Sequence, residues 1–570
     1  MKETRSASQI LYGFLPEQTV DLRGDVWKVK EWRNALSVPN IDMDTLRREL
    51  LRLVQPWEIA QRDGYLGRAL RRGDPLVVYE VNPENGVDVE PFPKQWVCRA
   101  CKRLHFSADA KCPCGRQALS SFHFVGYHDE CGSLREVPLP RCQRHNQVAV
   151  RFPGASASAE LRFICPECQA ELRRGFPRIA CSCGKGGFFT FNVHRAAAVF
   201  TPRTVVVVNA PKAEQRQAIA QAGGRSRALS WVVEGMQGDV AHAPATEESL
   251  RQGLKAQLLP DDVIETLIDT AKKKGTLAGA SVVQVPESVR QDAEDQAVSI
   301  ALASINSRRT IQELSRGTTS GSKLADLYST GYPAALAAAG LQSVDLMDRF
   351  PILTGVFGYT RGDYAPGASA LVPFRNRQYV NSLHASLVET EALFWRLDPV
   401  AVARWLGSRG HKLNDFHDQA SARLAILQIC RMPSATDRDG SVHQELFTLI
   451  HSYAHRFMRI GANFAGIDRN ALAELLVPLH LGFFIYAGAR GDFVLGGLQA
   501  VFESQLGELL HAVFQDEWRC PMDPGCTKGG GACVGCLHVG EPSCRWYNQL
   551  LDRATLFGPT GYLHSLSHSN

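Results

Sequence analysis

The sequence has no long apolar run. The longest one, Leu475 to Gly488, is too short to cross a bilayer and contains Pro478 and His480. The first ten residues, MKETRSASQI, also lack the apolar stretch of a secretory signal peptide. We therefore expect a soluble, cytoplasmic protein without a membrane span, in a compartment where thiols stay reduced and can bind metal.

Positive charge exceeds negative charge only slightly. The net charge is +5 and the isoelectric point is about 8.4. Between Lys94 and Arg195, however, about sixteen lysines and arginines face about seven acidic residues. Two four-thiolate zinc sites would each carry about −2 and cancel part of that excess. The positive charge that remains suits a polyanionic partner.

Motifs for nucleotide hydrolysis are missing. The segment Gly317 to Lys323, GTTSGSK, resembles a phosphate-binding loop only loosely, because a serine separates Gly321 from Lys323. We expect no ATP site of the chain's own.

Cysteine, by contrast, is abundant, and ten of the sixteen cysteines lie between Cys98 and Cys183. With nearby histidines they form three blocks, each made of two close pairs separated by ten to twelve residues. The blocks are Cys98, Cys101, Cys112 and Cys114; His128, Cys131, Cys142 and His145; and Cys165, Cys168, Cys181 and Cys183. Pairs of this kind come from tight turns that a hairpin brings together around tetrahedral zinc.

Disulfide bonding is the alternative for these cysteines. A disulfide framework suits a short secreted chain, whereas this chain has 570 residues. Scattered core cysteines would not repeat one layout three times. No block shows an open position or an obvious base, so we expect structural sites whose small modules need metal to fold.

A second cysteine cluster lies near the C-terminus and contains Cys520, Cys526, Cys533, Cys536 and Cys544. The spacing of Cys533 and Cys536 is typical of a zinc turn. Five cysteines exceed one tetrahedral site; we prefer Cys526, Cys533, Cys536 and Cys544, with Cys520 as a replacement for Cys526. The sequence thus predicts about four structural zinc ions.

Two histidines, His451 and His455, stand four apart on a helical stretch and face the same side. The glutamate of the metalloprotease pattern is absent, since Ser452 follows His451. Glu445 or Glu474 could complete a metal site. The simpler interpretation is a pair of polar residues that hold a core helix by hydrogen bonds.

Two stretches suit nucleic acid. The segment GYTRG places Tyr359 and Arg361 on a glycine-flanked turn, and FRNRQY mixes Arg375 and Arg377 with amides and rings. Such sets stack bases and neutralise phosphates. An ordinary solvated loop is the alternative.

The predicted fold class is α+β and multidomain, with tandem zinc-ribbon-like modules, an α/β region and a mainly helical C-terminal domain closed by a cysteine cluster. The expected domains are 1–95 (α/β), 96–195 (three zinc modules), 196–345 (mixed strand and helix) and 346–570 (helical). Apolar periodicity indicates helices at 384–406, 418–431, 443–460, 470–487 and 497–514, and a loop at 223–248.

The C-terminal motifs resemble the family of helicase-associated C-terminal domains of unknown function. The resemblance rests on HSYAH at 451–455, GYTRG, CVGCLHVGEPSC and the segment Asn548 to Arg553. In DNA-repair helicases that carry this domain, the clustered cysteines are a metal-binding signature. With the zinc array, including GYHDECG and PRCQRH, the whole chain is similar to DrmB-type subunits of the DISARM anti-phage system, which carry the domain without a helicase.

The resemblance implies a partner and a function. DrmB-type subunits work with a DrmA-like helicase ATPase in a complex that engages DNA and restricts phage genomes alongside a methyltransferase. The expected function is therefore a non-catalytic zinc-binding accessory subunit that helps hold single-stranded or 5′-tailed DNA. Two alternatives remain: a metal-dependent nuclease using His451 and His455, and a scaffold without DNA contact.

Overall fold

The chain forms two compact units in a computed structural model. The first contains Met1–Val205 and Thr354–Leu387, and the second contains Val206–Leu353 and Val388–Asn570. The structure describes residues 1–116, 119–152, 158–209, 213–240, 247–256, 259–273, 284–305, 307–434, 437–488, 495–514, 520–540 and 543–567. Helices and strands occur in both units, so the α+β class expected from the sequence is confirmed.

An antiparallel four-stranded sheet begins the first unit. In spatial order its strands are Lys2–Glu3, Val87–Pro91, Asp25–Trp32 and Thr19–Leu22. Beside it in sequence come the helices Ala7–Gly13, Met43–Ile59 and Leu66–Arg71 and the strands Leu36–Ser37 and Leu76–Glu80. The longest of these helices, Met43–Ile59, is capped by Asp42, whose carboxylate accepts a hydrogen bond from the backbone N–H of Thr45.

Three small antiparallel sheets follow, and they carry the cysteine-rich segment. The first contains Leu104–His105, Trp96–Cys98 and Leu119–Ser121; the second contains Leu134–Glu136, Phe124–Tyr127 and Thr190–Val193; the third contains Ala149–Arg151, Arg162–Ile164 and Glu171–Arg174. Single helical turns lie at Ser158–Glu160 and Ala197–Val199, and the strand Val372–Pro373 also belongs to this unit. Apolar side chains in and between these strands, among them Phe122, Val150 and Phe163, are buried together in one small core.

Helices dominate the second unit. They lie at Ala213–Gln221, Gly224–Val233, Glu247–Ala256, Asp261–Lys273, Glu287–Ser304, Ile311–Gly317, Lys323–Asp326, Tyr332–Ala338, Pro399–Ser408, Gln419–Ile429, Val442–Ala465, Gly497–Ala500, Leu506–Phe514, Gly525–Lys528, Ala554–Phe557 and Tyr562–Ser567. Shorter 3-10 or π turns lie at Leu327–Gly331, Arg469–Ala471, Pro478–His480 and Val501–Gln505.

Strands also enter the second unit, where the helices pack on them. Arg308–Thr310, Leu472–Val477 and Gly482–Ala487 lie wholly inside it. The strands Thr201–Val208, Leu341–Thr360 and Asn381–Leu397 each contribute one part to each unit. Residues 392–396 pair antiparallel with Gly482–Tyr486, and the whole strand Gly482–Ala487 pairs antiparallel with Leu472–Val477.

Three secondary-structure predictions were wrong. Residues 384–397 lie in a strand and 470–487 contain the two strands Leu472–Val477 and Gly482–Ala487 rather than helices, and 223–248 contains the helix Gly224–Val233. Residues 482–487 are buried at every position, so no polar alternation marks them as a strand. A short apolar run buried on both faces cannot be told from a buried helix by its periodicity.

The helix Val442–Ala465 lies at the centre of the hydrophobic core of the second unit. Ser441 caps its first turn through the N–H of Gln444, and Gly466 ends it in the left-handed region, with a φ of 64°. Its Tyr453 and Phe457 pack against Phe483, with ring centroids 6.1 and 5.9 Å apart. This helix and the strand Leu472–Val477 position the internal site described below.

Gly482 tests this packing. A Cβ there would lie 2.8 Å from the Phe394 ring and 2.9 Å from the Trp395 carbonyl oxygen, so Gly482→Ala should lower the free energy of unfolding by about 1–3 kcal/mol. A Cβ at Gly461 meets nothing within 4 Å, so Gly461→Ala should stabilise the helix by up to about 1 kcal/mol. Thermal and urea unfolding of both variants measure the difference. Equal midpoints would contradict the close approach at Gly482.

Candidate metal centres

The first cysteine cluster has the predicted ligands. Its four sulfur atoms lie within 4.8 Å of one another. The Sγ atoms of Cys98 and Cys114 are 3.6 Å apart, and those of Cys101 and Cys112 are 3.3 Å apart. Tetrahedral zinc with Zn–S bonds of about 2.3 Å separates its sulfurs by about 3.8 Å. The cluster is therefore compatible with zinc binding.

Backbone N–H groups prepare one thiolate in this cluster. Burial opposes ionisation of Cys98, but hydrogen bonds from the N–H groups of Cys101 and Ala100 and from the neighbouring thiols together lower the pKa of Cys98 to about 6. Burial raises the pKa of Cys112 to about 12. Metal binding at neutral pH must therefore release protons from the cluster.

The second and third blocks exchange ligands relative to the sequence prediction. One centre contains His128, Cys131, Cys181 and Cys183, and another contains Cys142, His145, Cys165 and Cys168. In the first of these, the Cys131 Sγ lies 3.7 Å from the Cys181 Sγ. In the second, the Cys142 Sγ lies 3.9 Å from the Cys168 Sγ. The predicted sets, which joined ligands adjacent in sequence, are corrected accordingly.

Strand pairing causes the exchange. Tyr127 pairs with Thr190, so the ends of these strands bring the 128–131 turn to the 181–183 turn. Ala149 pairs with Ile164, which brings the 142–145 turn to the 165–168 turn. In the sequence, the centre of Cys142, His145, Cys165 and Cys168 is thus nested between the two halves of the centre of His128, Cys131, Cys181 and Cys183. The expected tandem order of the modules is wrong here, because hairpin register decides which turns meet.

In the nested centre, as in the first cluster, backbone N–H groups stabilise a thiolate. Backbone N–H groups of His145 and Arg144 lower the pKa of Cys142 to about 6. The His145 Nδ1 lies 3.6 Å from the Cys142 Sγ and 3.4 Å from the Cys165 Sγ. Both sulfurs therefore face the same ring nitrogen, as ligands of one ion do.

The C-terminal cluster uses Cys520, Cys526, Cys533 and Cys536. The Cys520 and Cys533 sulfurs are 3.4 Å apart, and those of Cys526 and Cys536 are 3.6 Å apart. The preferred set with Cys544 in place of Cys520 is therefore wrong. A turn through Asp523, whose carboxylate accepts a hydrogen bond from the Cys520 N–H, brings Cys520 back to the cluster.

Cys544 lies instead with His451, His455 and Glu474. Their donor atoms are within 4.8 Å of one another and all four residues are buried. The interpretation of the two histidines as mere helix-packing residues is incomplete, because a carboxylate and a thiol converge on them. Glu445, the other carboxylate considered from the sequence, pairs with Arg409 and His411. Only the tertiary structure brings Glu474 and Cys544 to this point.

Two predicted DNA-contacting residues are buried. Tyr359 is 5% exposed and Arg361 is fully buried. The Arg361 guanidinium donates hydrogen bonds to the carbonyl oxygens of Gly132 at 2.7 Å and Glu17 at 2.9 Å, and also to that of Val199. The prediction that this pair contacts nucleic acid is wrong, because the arginine satisfies backbone carbonyls inside the first unit.

Arg375 and Arg377 are exposed, as predicted for contact residues. They lie in the turn before Asn381–Leu397. Arg375 donates to the Gly64 carbonyl oxygen at 3.0 Å, and Arg377 pairs with Glu31 at 2.6 Å. Tyr379 in the same turn is 82% exposed.

No helix in the described part of the chain has the length and apolar character needed to cross a membrane.

Comparison with known proteins gives two matches. A family model described as "Domain of unknown function (DUF8724)" matches residues 6–188. The chain is also 24% identical over 191 residues to the DISARM protein DrmB of Bacillus paralicheniformis. The resemblance to DrmB is confirmed. The aligned part covers 31% of this chain and 33% of DrmB, so the match spans about a third of that relative.

The nested pairing can be tested by counting metal ions. Because Cys142 and Cys165 share a centre, Cys142→Ser with Cys165→Ser should lose one ion per chain. Cys165→Ser with Cys181→Ser should lose two, because these residues serve different centres. Native mass spectrometry of the full chain measures the loss. The reverse result, two ions and then one, would restore the ligand sets read from the sequence.

Arg361→Met tests the structural role of the buried arginine. The substitution leaves carbonyl oxygens of Glu17, Gly132 and Val199 without their donor, so the first unit should lose at least about 2 kcal/mol of stability. Thermal unfolding measures this loss, with the exposed Arg375→Met as the control. An unchanged midpoint together with weakened DNA binding would contradict it.

Proposed function

We propose that this chain is a zinc-binding, non-catalytic subunit of a cytoplasmic anti-phage complex. It docks on a DrmA-like helicase ATPase and helps to bind DNA with single-stranded or overhanging ends. The observation that carries the proposal is the similarity to the DISARM protein DrmB. The metal centres and an exposed cationic turn support it independently.

Zinc is the ion that best fits the four cysteine-rich clusters. All sixteen cysteines are free, so none is used in a disulfide. The clusters are all-cysteine or three-cysteine-one-histidine sets, which are typical of structural zinc. Each supplies four donors and leaves no open position for a reacting water. The ions would therefore have a structural role and hold together the turns that supply the four donors of each cluster.

The turn containing Arg375, Arg377 and Tyr379 supports single-strand binding. Two exposed arginines lie two and four residues before an aromatic ring that is 82% exposed, and every base offers a face for stacking. The Arg377–Glu31 pair lies at the surface, with 81% and 44% of the side chains exposed. Such a pair contributes little to stability, so a phosphate can replace the carboxylate at small cost.

Exposed cations in the cysteine-rich segment extend the positive surface. They include Arg99, Lys111, Arg116, Arg141 and Arg144. None of these makes a salt bridge within the described residues. They are available for phosphate contacts, which give affinity without sequence preference.

A nuclease centred on His451 and His455 is less well supported. Both side chains are fully buried, as is Glu474, and Cys544 is 4% exposed. A hydrolytic centre needs an open coordination position for water and access for the phosphodiester. A scaffold without DNA contact remains the outcome if DNA binding fails in the experiment below.

The test uses the full chain with a DrmA-like helicase ATPase. Arg375→Glu with Arg377→Glu should weaken binding to single-stranded and 5′-tailed DNA at least tenfold in 0.1 M salt. The slope of log affinity against log salt should fall by about 0.7 for each lost phosphate contact. Fluorescence anisotropy measures affinity, and co-elution and DNA-stimulated ATP hydrolysis measure docking.

Arg349→Glu is the matched control, because Arg349 lies in the second unit with 64% of its side chain exposed. It should leave DNA affinity within about twofold of the unmodified chain. If the double variant and the control bind DNA equally well, the turn is not the DNA contact. If the chain and the ATPase neither co-elute nor affect each other, the accessory-subunit proposal fails.

A further inference from the structure

The core of the second unit contains four donor side chains that the cysteine-rich clusters do not use. His451 and His455 lie one turn apart on the helix Val442–Ala465, Glu474 lies on the strand Leu472–Val477, and Cys544 lies in the C-terminal segment. Their donor atoms lie within 4.8 Å of one another. Three separate parts of the chain therefore meet at one buried point.

Backbone carbonyls fix the orientation of both imidazoles. The Nδ1 of His451 lies 3.2 Å from the Leu550 oxygen, and the Nδ1 of His455 lies 2.8 Å from the Leu537 oxygen. A carbonyl oxygen only accepts hydrogen bonds, so each Nδ1 carries the proton and donates it. In each neutral ring the Nε2 then presents a lone pair. Metal-bound histidines are held in this way by a partner on the other nitrogen.

Both Nε2 atoms face other electron-pair donors. The Nε2 of His451 lies 3.1 Å from the Glu474 Oε1 and 3.2 Å from the Cys544 Sγ. The Nε2 of His455 lies 3.4 Å from the same carboxylate oxygen. Lone pairs at these distances repel one another unless a cation lies between them.

The Cys544 sulfur accepts backbone hydrogen bonds, as do cysteine sulfurs of the C-terminal cluster. For Cys544 the donors are the N–H groups of Trp546 and Asn548, each at 3.3 Å. At the C-terminal cluster, Met522 donates to the Cys520 sulfur at 3.4 Å and Gly535 to the Cys533 sulfur at 3.3 Å. Such bonds favour the thiolate form, which is the metal ligand.

Protons are the competing occupant of this point. A protonated histidine could donate to the Glu474 Oε1, but the second oxygen, Oε2, is buried without a hydrogen-bond partner in the described part of the chain. A buried charge that is only half satisfied is costly. A divalent cation balances one carboxylate and one thiolate, and two neutral imidazoles complete a set of four.

We propose that His451, His455, Glu474 and Cys544 hold a further zinc ion in the core of the second unit. Two nitrogens, one oxygen and one sulfur form a donor set of intermediate softness that suits Zn²⁺. The four protein ligands close the coordination sphere, so the ion has a structural role. It joins the long helix, the strand and the C-terminal segment.

This ion would also support the neighbouring C-terminal cluster. Leu537, whose carbonyl oxygen accepts from His455, directly follows the cluster ligand Cys536. Leu550, which accepts from His451, lies beyond Cys544 in the chain. Loss of this ion should therefore loosen the attachment of Leu537 and Leu550 to the long helix, while the four ligands of the C-terminal cluster stay in place.

The experiment counts zinc in the purified full chain by native mass spectrometry and inductively coupled plasma mass spectrometry. Cys544→Ala and Glu474→Gln should each contain one zinc ion fewer than the unmodified chain. Cys430→Ala is the matched control, because Cys430 is buried in the same unit and lies in none of the five clusters described above. It should retain every ion. Equal zinc contents in the Cys544 and Glu474 variants and the unmodified chain would overturn the proposal.

A second readout applies if these variants fail to fold. The unmodified chain should contain five zinc ions, four in the cysteine-rich clusters and one in the core. Cys533→Ser, which affects the C-terminal cluster, should then leave four. X-ray absorption at the zinc edge should show more than two nitrogen or oxygen ligands per chain, because the other four clusters supply only two histidines. Four ions with only two such ligands per chain would also overturn the proposal.

Discussion

Repulsion among converged electron-pair donors is the constraint on which the small modules of this protein depend. Each cysteine-rich centre brings four sulfur or nitrogen atoms within 4.8 Å, and backbone N–H groups stabilise only part of the resulting charge. The strands around them have two to four residues and share a small apolar core that includes Phe122, Val150 and Phe163, but that core does not offset charge on the converged sulfurs. A divalent cation at each centre would offset this repulsion, and the clusters are compatible with metal binding.

Nesting of two centres adds a topological consequence. Cys131 and Cys181, which face each other in the outer centre, are 50 residues apart in sequence. The inner centre, with Cys142 and Cys165, lies within that loop. When the inner hairpin closes first, the loop that the outer centre must close becomes effectively shorter, and its entropic cost falls. Nesting thus favours folding of the segment from the inside outward.

The segment GYTRG illustrates how a surface-like motif can serve the interior. Arginine beside tyrosine between two glycines suits a nucleic-acid turn, yet Arg361 is surrounded by carbonyl oxygens and stacks near Tyr359, 4.7 Å from its ring centroid. Gly358 permits the close approach of the neighbouring strand, since a Cβ there would lie 2.5 Å from the Val372 carbonyl oxygen. The same residue types therefore serve packing here, and the exposed turn at 375–379 is the better candidate for DNA.

The sequence by itself determined the α+β class, the identity of nearly all the sulfur and nitrogen side chains that converge in the clusters, and the resemblance to DrmB. It could do so because close cysteine pairs are local features of single turns. Tertiary structure alone decided which turns meet, since strand register joins His128 to Cys181 and Cys142 to Cys165 across long stretches of chain. It also decided that Cys544 lies beside Glu474, and that Tyr359 and Arg361 are buried. Burial and long-range pairing depend on how every element packs, which no local spacing encodes.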